Sequence, residues 1–269
     1  MPLSITAVRR ARLYSPGHES DDWQVLKDAA QALERDGHRV QFMTEEEIAA
    51  RPLEADVVLN MCQGPEGNGH LLATEGAGVL VVNRPEGALN CLRYRLLPQL
   101  QAAGIPIPES SVVDTSNGLP ATRGGWRRAW VKRVDVHATA PQDVVGVEGE
   151  DALRATLRSF AERGLSRAIV QEHLEGPVVK FYGVGAEFFH SRVISGDPRT
   201  VFDPVLLRLR ARQCADTLGL DVFGGECVVT ADGTLPVIDV NDWPSFGPCR
   251  EGAARAIGRH VLEKAGVPA

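Results

Sequence analysis

Hydrophobic positions follow two alternating spacings along the first third of the chain, and these spacings predict helices and strands in turn. One helix is predicted to begin at Ser20-Asp21-Asp22 and to end at Gly37, a residue type suited to a left-handed cap. Its apolar face is formed by Trp23, Leu26, Ala30 and Leu33. Apolar runs of strand length follow at 39–43, 56–61 and 78–82. Strands that alternate with helices favour a mostly parallel sheet.

The remaining two thirds of the chain are predicted to contain further strands and four helices. A helix over 86–103 ends at Gly104-Ile-Pro-Ile-Pro108, where two prolines enforce an extended backbone. The other helices are predicted at 151–163, 204–219 and 250–264, and the strands at 130–134, 169–171, 178–184, 188–194, 225–229 and 235–240.

Composition excludes several classes of protein. Of the 269 residues, 43% are hydrophobic and 24% are charged, which is not the usage of a disordered or coiled-coil chain. The formal net charge of −6 and the lack of a long basic run argue against nucleic-acid binding. No apolar run approaches the ~20 residues of a membrane span, and Met1–Arg12 lacks the apolar core of a secretory signal.

The cysteines indicate the redox environment. Five cysteines are widely spaced, and none forms a Cys-x-x-Cys pair. An odd number without metal-ligand spacing predicts buried free thiols in a reducing compartment, not a disulfide framework or a zinc site. We therefore predict a soluble cytoplasmic protein, and the sequence leaves a homodimer open.

A hairpin with acidic residues is the most informative segment of the chain. Asp232-Gly233 stands between two β-rich runs and is a preferred dipeptide for a two-residue turn. With the turn at these residues, Glu226 faces Asp239 across the hairpin. Asn241 shares their face, because strand side chains alternate with period two. The sequence therefore predicts that three oxygen-bearing side chains converge.

Facing carboxylates repel one another unless a cation lies between them. Two carboxylates and an amide oxygen are ligands suited to Mg²⁺, so we predict a magnesium site here. The alternative is that the three side chains point to solvent at a sheet edge. We expect Val228 and Val237 to share their face, which favours burial. Pro236 limits ladder pairing and is typical of bulges, which would shift the register.

The order of motifs between residues 93 and 245 resembles that of the ATP-grasp superfamily. The magnesium-binding pattern of that superfamily, two acids followed by an asparagine, is matched by Glu226, Asp239 and Asn241, and its following proline by Pro244. Val131-Lys132 resembles the strand-borne lysine that contacts nucleotide phosphates. Arg93 stands where the superfamily usually has its first phosphate-contacting lysine.

The resemblance also implies an adenine site and catalytic residues. Gln171-Glu172-His173-Leu174 resembles the hinge whose backbone groups bind adenine, with Glu175 as the acid that holds the ribose. Lys180 and Arg192 are the implied catalytic residues near the γ-phosphate. The lid loop departs from the pattern, because residues 133–139 contain no glycine, and His137 is a candidate substitute for backbone contacts. Each residue also has a plainer interpretation as a solvated charge, a salt-bridge partner or a structural side chain.

The superfamily's architecture implies an α/β protein with the ATP-grasp fold. We expect an N-terminal parallel-sheet domain over 1–86, a linker helix and lid lobe over 87–172, and a C-terminal lobe with the metal site over 173–269. The two lobes would sandwich ATP, with Mg²⁺ as the second cofactor.

Two reactions and one inactive alternative remain open at this point. Most members of the superfamily phosphorylate a carboxylate that an amine then attacks, which implies a carboxylate–amine ligase like D-alanine–D-alanine ligase or RimK. Lys180-Phe-Tyr-Gly resembles instead the inositol 1,3,4-trisphosphate 5/6-kinases, which phosphorylate a hydroxyl of a polyol phosphate. A nucleotide-binding module without chemistry is the third alternative.

The small-molecule acceptor is expected to lie near a polar loop at 60–70. This loop follows a predicted parallel strand, and open α/β sheets bind ligands beyond the carboxyl ends of their strands. The candidate acceptor contacts in it are Asn60, Glu66, Asn68 and His70.

Overall fold

A computed structural model describes residues 1–15, 17, 19–50, 53–116, 127–135 and 140–267 of the protein. The strands are β1 (Ser4–Val8), β2 (Arg39–Met43), β3 (Val57–Asn60), β4 (Leu80–Val82), β5 (Ser110–Asp114), β6 (Arg128–Arg133), β7 (Val144–Glu148), β8 (Arg167–Glu172), β9 (Val178–Val184), β10 (Phe188–Ser195), β11 (Val222–Val228) and β12 (Val237–Asp242). The α-helices are α1 (Glu19–Arg35), α2 (Glu45–Ala50), α3 (Pro65–Gly76), α4 (Pro85–Asn90), α5 (Arg93–Ala102), α6 (Glu150–Glu162), α7 (Pro204–Leu218) and α8 (Arg250–Lys264). Within these ranges no helix has the length and apolar character needed to cross a bilayer.

The N-terminal sheet is parallel, with strand order β2-β1-β3-β4. Helices α1 and α8 pack against one another on one of its faces, where Ile5, Leu26 and Ile257 share a buried core. A second core, which includes Met43, Ile48 and Leu71, lies under α2 and α3. Helix α8 follows the C-terminal sheet in the chain, so a C-terminal segment completes the core of the N-terminal sheet.

The lid sheet is antiparallel, with strand order β5-β8-β6-β7. Alternate residues of its strands, among them Val131 and Val170, pack with Leu157 and Phe160 of α6. Strand side chains alternate between faces, so Trp130 and Lys132 lie on the face that α6 does not cover.

The C-terminal sheet is also antiparallel, with strand order β10-β9-β11-β12. One of its faces carries Phe181, Phe223 and Val240, which pack with Leu207 and other residues of α5 and α7. The other face carries charged side chains toward the lid sheet, and apolar ones toward α8. Helix α7 begins at the predicted position, since Asp203 accepts hydrogen bonds from the N–H groups of Val205 and Leu206.

The predicted α/β class with a parallel N-terminal sheet is confirmed. Among the elements, the helix predicted over 86–103 divides into α4 and α5, and the loop predicted over 60–70 is largely the first part of α3. Strands β1, β5 and β7 were not among the predicted elements. All five cysteines are free thiols.

Candidate active site

Four charged side chains form a single row across the C-terminal sheet. The residues that stand directly opposite one another on β10, β9, β11 and β12 are Arg192, Lys180, Glu226 and Asp239. Directly opposed residues share a face, so the row runs from two cations to two carboxylates. Lys180 Nζ lies 3.2 Å from Glu226 Oε1. The predicted facing of Glu226 and Asp239 is therefore present in the fold.

The route to that register differs from the predicted one. Gly233, at φ +80°, donates to the Thr230 carbonyl, and the Thr230 N–H donates to Thr234. The loop therefore has three residues and not two, which moves the pairing by one position. A bulge at Ile238 then moves it back, because Cys227 pairs with residue 237 whereas Glu226 pairs with residue 239. Two single-residue shifts cancel, and the predicted facing results.

The bulge also changes which residues share the face of the row. Val237 pairs with Cys227 and packs into the core under α7, although it stands two positions from Asp239. The expectation that Val237 lies beside the carboxylates was therefore wrong, because the extra residue interrupts the alternation of side chains.

The bulge connects the two sheets through Lys132. The ammonium group of Lys132, on β6 of the lid sheet, donates to the carbonyl of Ile238, on β12 of the C-terminal sheet, at 3.0 Å. Lys132 is only 7% exposed, and burial lowers the pKa of its ammonium group to about 8, against the opposing attraction of Asp239. The lid therefore places a partly destabilised cation against the acidic end of the row.

Arg93, the first residue of α5, joins the same two sheets. One guanidinium nitrogen donates to the Arg133 carbonyl of β6 at 3.2 Å, and the other donates to Asp239 at 3.1 Å. Its side chain is 7% exposed and that of Asp239 is 19% exposed. A planar fork suits such a bridge, because its nitrogens are held at a fixed spacing.

A second row on the same face, two residues along, contains Asn241. Its opposite neighbours on β11, β9 and β10 are Gly224, Tyr182 and His190. Tyr182 is buried and its ring lies 6.2 Å from that of His190. Burial raises the pKa of the Tyr182 hydroxyl, and Lys180 opposes the shift. Tyr182 and His190 were not predicted as site residues, although period-two spacing from Lys180 and Arg192 would have indicated them.

The predicted hinge lies at the end of β8. The N–H groups of Glu172 and His173 donate to the carbonyls of Glu109 and Arg128, whereas the N–H of Leu174 donates to no described residue. Gln171 is buried, and its side-chain amide donates to the Ser110 hydroxyl of β5, so it holds the lid sheet together.

Two hinge side chains contact the neighbouring strand β6. The Trp130 indole N–H donates to His173 Nδ1 at 3.0 Å. Glu175 is exposed and lies 2.5 Å from Arg128 and 3.3 Å from the His173 ring. Trp130 shares a face with Lys132 and is a further site residue that the sequence had not indicated, although their spacing of two in one strand is the signal for it.

Glu226, Asp239 and Asn241 provide a donor set that fits Mg²⁺. Two carboxylates and an amide are hard oxygen ligands, and magnesium keeps water and phosphate oxygens in its remaining positions. Among the described residues no three His, Cys, Asp or Glu side chains gather into a metal-binding group. A magnesium site here would therefore use Asn241 as its third protein ligand, with water or phosphate oxygens in the remaining positions.

Some predicted residues lie elsewhere. His137 falls outside the described residues. Asn60 and Asn68 are fully buried and donate hydrogen bonds to one another or to nearby carbonyls, so they stabilise the start of α3 and are not exposed at a surface. Glu66 and His70 are exposed on the first turns of that helix.

Comparison with known proteins gives the fold. No protein-family model and no curated protein matches the sequence. A D-alanine–D-alanine ligase from Bacillus anthracis complexed with ATP is similar over 98% of this chain and 97% of its own, with a TM-score of 0.77 and 13% identity. A RimK-domain ATP-grasp protein from Sphaerobacter thermophilus is similar over 96% of this chain and 99% of its own, with a TM-score of 0.74 and 22% identity.

A further ligase gives the same result. The D-alanine–D-alanine ligase from Coxiella burnetii is similar over 97% of both chains, with a TM-score of 0.70 and 14% identity. Identities this low show the architecture alone, but the likeness spans the parallel sheet and both antiparallel sheets. The chain therefore has the ATP-grasp fold.

Proposed function

We propose that the protein is an ATP- and Mg²⁺-dependent ligase that joins a small-molecule carboxylate to an amine through an acyl phosphate. The observation that carries the proposal is the row of charges on the C-terminal sheet, which faces Lys132 of the lid. In a fold whose solved examples include ligases, this row would supply two of the three proposed metal ligands and two of the cations that phosphoryl transfer requires.

Glu226, Asp239 and Asn241 would hold the metal. When bound, Mg²⁺ would neutralise charge that develops on the transferred group. In the structure, Lys180 and Arg93 balance the two carboxylates. These ion pairs hold the two carboxylates in place within the row.

The cations would hold the triphosphate. Four cationic side chains, namely Arg93, Lys132, Lys180 and Arg192, accompany two carboxylates, and this excess of positive charge suits a polyphosphate. Lys132 reaches the site from the lid sheet and Arg93 from the start of α5, whereas Lys180 and Arg192 reach it from the C-terminal sheet. The transferred phosphoryl group would therefore meet cations from both sides.

The remaining parts of the chain receive roles consistent with this arrangement. Leu174 offers the hinge N–H to the adenine, and Glu175 stands beside the hinge for the ribose. We assign the acceptor to the domain over 1–86, the lid to 87–172 and the metal lobe to 173–269. His137 is proposed as a lid contact on the resemblance alone.

The proposed reaction has two steps, phosphoryl transfer and amide formation. A carboxylate oxygen of the acceptor attacks the γ-phosphorus of ATP and releases ADP. The amine then attacks the acyl carbon and releases phosphate, which carries away that carboxylate oxygen. An ATP-grasp kinase would stop at the first step with a hydroxyl acceptor and leave a phosphate ester.

Phosphorus NMR distinguishes these outcomes. The protein is incubated with ATP, Mg²⁺ and a panel of ¹⁸O-labelled carboxylic acids and amines, beside a second panel of polyol phosphates. A ligase produces phosphate that contains one ¹⁸O, and only when acid and amine are both present. A stable phosphate ester would replace the proposal by a kinase, and bound ATP without turnover of either panel would leave a nucleotide-binding module. Samples with EDTA serve as the metal control.

A further inference from the structure

Two arginines form hydrogen bonds that link the N-terminal domain to the segment that follows Asn241. This segment, residues 242–249, is called the 242–249 loop below, and it joins β12 to α8. Arg10 follows β1 and Arg250 opens α8, and both donate to backbone carbonyls of the loop. Neither arginine belongs to the motifs that indicated the metal site.

Arg10 grips the beginning of the loop from a buried position. One guanidinium nitrogen donates to the carbonyls of Asp242 and Trp243, at 3.3 and 3.4 Å. The other donates to Asp22 of α1 at 2.9 Å, and the side chains of this pair are 8% and 10% exposed. Gln63, which follows β3, donates to the Asp242 carboxylate at 3.4 Å. The carboxyl edge of the N-terminal sheet is therefore attached to the residue beside Asn241.

Arg250 grips the middle of the same loop. Its Nε donates to the Ser245 carbonyl at 3.3 Å, and a terminal nitrogen donates to Asp21 at 2.9 Å. Asp21 and Asp22 are consecutive residues of the first turn of α1. A single turn of one helix in the N-terminal domain thus orients both arginines.

The backbone of the loop needs such support. Trp243 and Phe246 have φ values of +39° and +50°, which residues with a Cβ rarely adopt. Such conformations persist only where the surroundings enforce them. Pro244, between them, packs against Gly224, where an added Cβ would lie 2.8 Å from the proline ring. Gly224 is the cross-strand neighbour of Asn241, so the loop folds back onto the metal-side row.

We propose that Arg10 and Arg250 are positioning residues for the metal site, and this inference rests on the proposed function. They hold the 242–249 loop in its unusual conformation, and the loop in turn orients Asn241 toward Glu226 and Asp239. The N-terminal domain, which contributes no metal ligand, thereby sets the affinity for Mg²⁺ in the nucleotide complex. Partners that orient a metal ligand commonly change metal affinity when they are replaced.

Binding of Mn²⁺ tests the inference without turnover. The free Mn²⁺ signal is followed by electron paramagnetic resonance as the metal is added to the full chain with the non-hydrolysable analogue AMP-PNP. Arg10→Lys keeps the buried positive charge but removes the guanidinium group that bonds to two carbonyls. Arg250→Lys and Asp21→Asn weaken the more exposed contacts of Arg250, where substitution disturbs folding less. Arg12→Lys is the matched control, because Arg12 is an exposed neighbour of Arg10. Circular dichroism verifies the fold of each variant.

The expected result is a weaker metal site with an intact nucleotide site. The Kd for Mn²⁺ should rise about tenfold in Arg10→Lys and about threefold in the two outer variants, while metal-free AMP-PNP affinity and the Arg12→Lys control stay at the wild-type value. If folded Arg250→Lys and Asp21→Asn bind Mn²⁺ with wild-type affinity, the positioning role is wrong, whereas the proposed function is unaffected. Failure of the wild-type chain to bind Mn²⁺ with AMP-PNP would overturn the proposed function as well.

Discussion

The lid sheet and the C-terminal sheet each have four antiparallel strands, joined in a different order, and they present different chemistry to the space between them. The C-terminal sheet places four charged side chains in one directly opposed row. The lid sheet contributes one ammonium group, that of Lys132, and the hinge at the end of β8. One sheet thus presents a row of charged side chains, and the other presents a single buried lysine.

The difference between the sheets follows from where their apolar faces lie. Each sheet buries one face under helices, α6 for the lid and α5 with α7 for the C-terminal sheet. The second face of the C-terminal sheet is only partly covered by α8, so charged side chains can lie there beside one another without full burial. Lys132 by contrast lies almost fully buried, and its desolvation lowers its pKa. The C-terminal sheet therefore presents partly exposed charges, whereas the lid sheet presents a buried lysine with a lowered pKa.

Removal of one carboxylate from the row should have the largest effect. Asp239→Asn deletes a proposed metal ligand and leaves Arg93 without its ion-pair partner. Loss of the transition-state stabilisation that a metal supplies, several kcal/mol, should reduce ADP formation about a thousandfold. A coupled assay for ADP measures it, with Asp216→Asn on the exposed surface of α7 as the control. Wild-type ADP release by folded Asp239→Asn would exclude the metal role.

The pH dependence of nucleotide binding tests the lid. With a pKa of about 8 for Lys132, the free protein loses this cation as pH rises, whereas bound phosphate favours the ammonium form. The Kd for ATP should therefore rise about tenfold between pH 7 and pH 9, with proton uptake on binding. Calorimetric titration in two buffers of different ionisation enthalpy measures both quantities.

The matched variant for this experiment is Lys132→Met. It should bind ATP about tenfold more weakly at pH 7, because a charge-assisted contact is lost, and its affinity should change little with pH. The pH dependence of the free energy of unfolding has the opposite sign. Between pH 8 and 10.5 the lysine is protonated in the unfolded chain but not in the folded chain. Its contribution to stability therefore increases as pH rises. Wild-type affinity that stays constant up to pH 9 would contradict the role of the lid lysine.

The smallest effect is expected at the turn of the acidic hairpin. Gly233→Ala places a Cβ on a residue with φ +80° and should lower the free energy of unfolding by about 1 kcal/mol. Activity should stay unchanged, because the bulge at Ile238 lies between the turn and the row. In Gly69→Ala, inside α3 with open space around it, the same change should raise stability by up to about 1 kcal/mol. Chemical denaturation measures both, and loss of activity in Gly233→Ala would show that the turn controls the register.

Local sequence patterns predicted much of the fold and part of the site. Period-two alternation, together with a turn dipeptide, placed Glu226 opposite Asp239, because pairing in a hairpin depends on residues close in sequence. The two-residue turn was nevertheless wrong, and the bulge that offsets it lies two residues beyond Pro236, the residue that had indicated an irregular register. Helix boundaries such as Asp203 at the start of α7 were predictable for the same local reason.

The amino-acid sequence by itself determined the α/β class, the order of most elements and the facing of two carboxylates, since each depends on spacing within a short segment. Only the tertiary structure decided that Lys132 donates to Ile238, that Arg93 bridges two sheets and that Arg10 holds the 242–249 loop. These contacts join residues 40 to 232 positions apart, and no local periodicity encodes which distant faces will meet. That choice depends on how three sheets bury their apolar surfaces together.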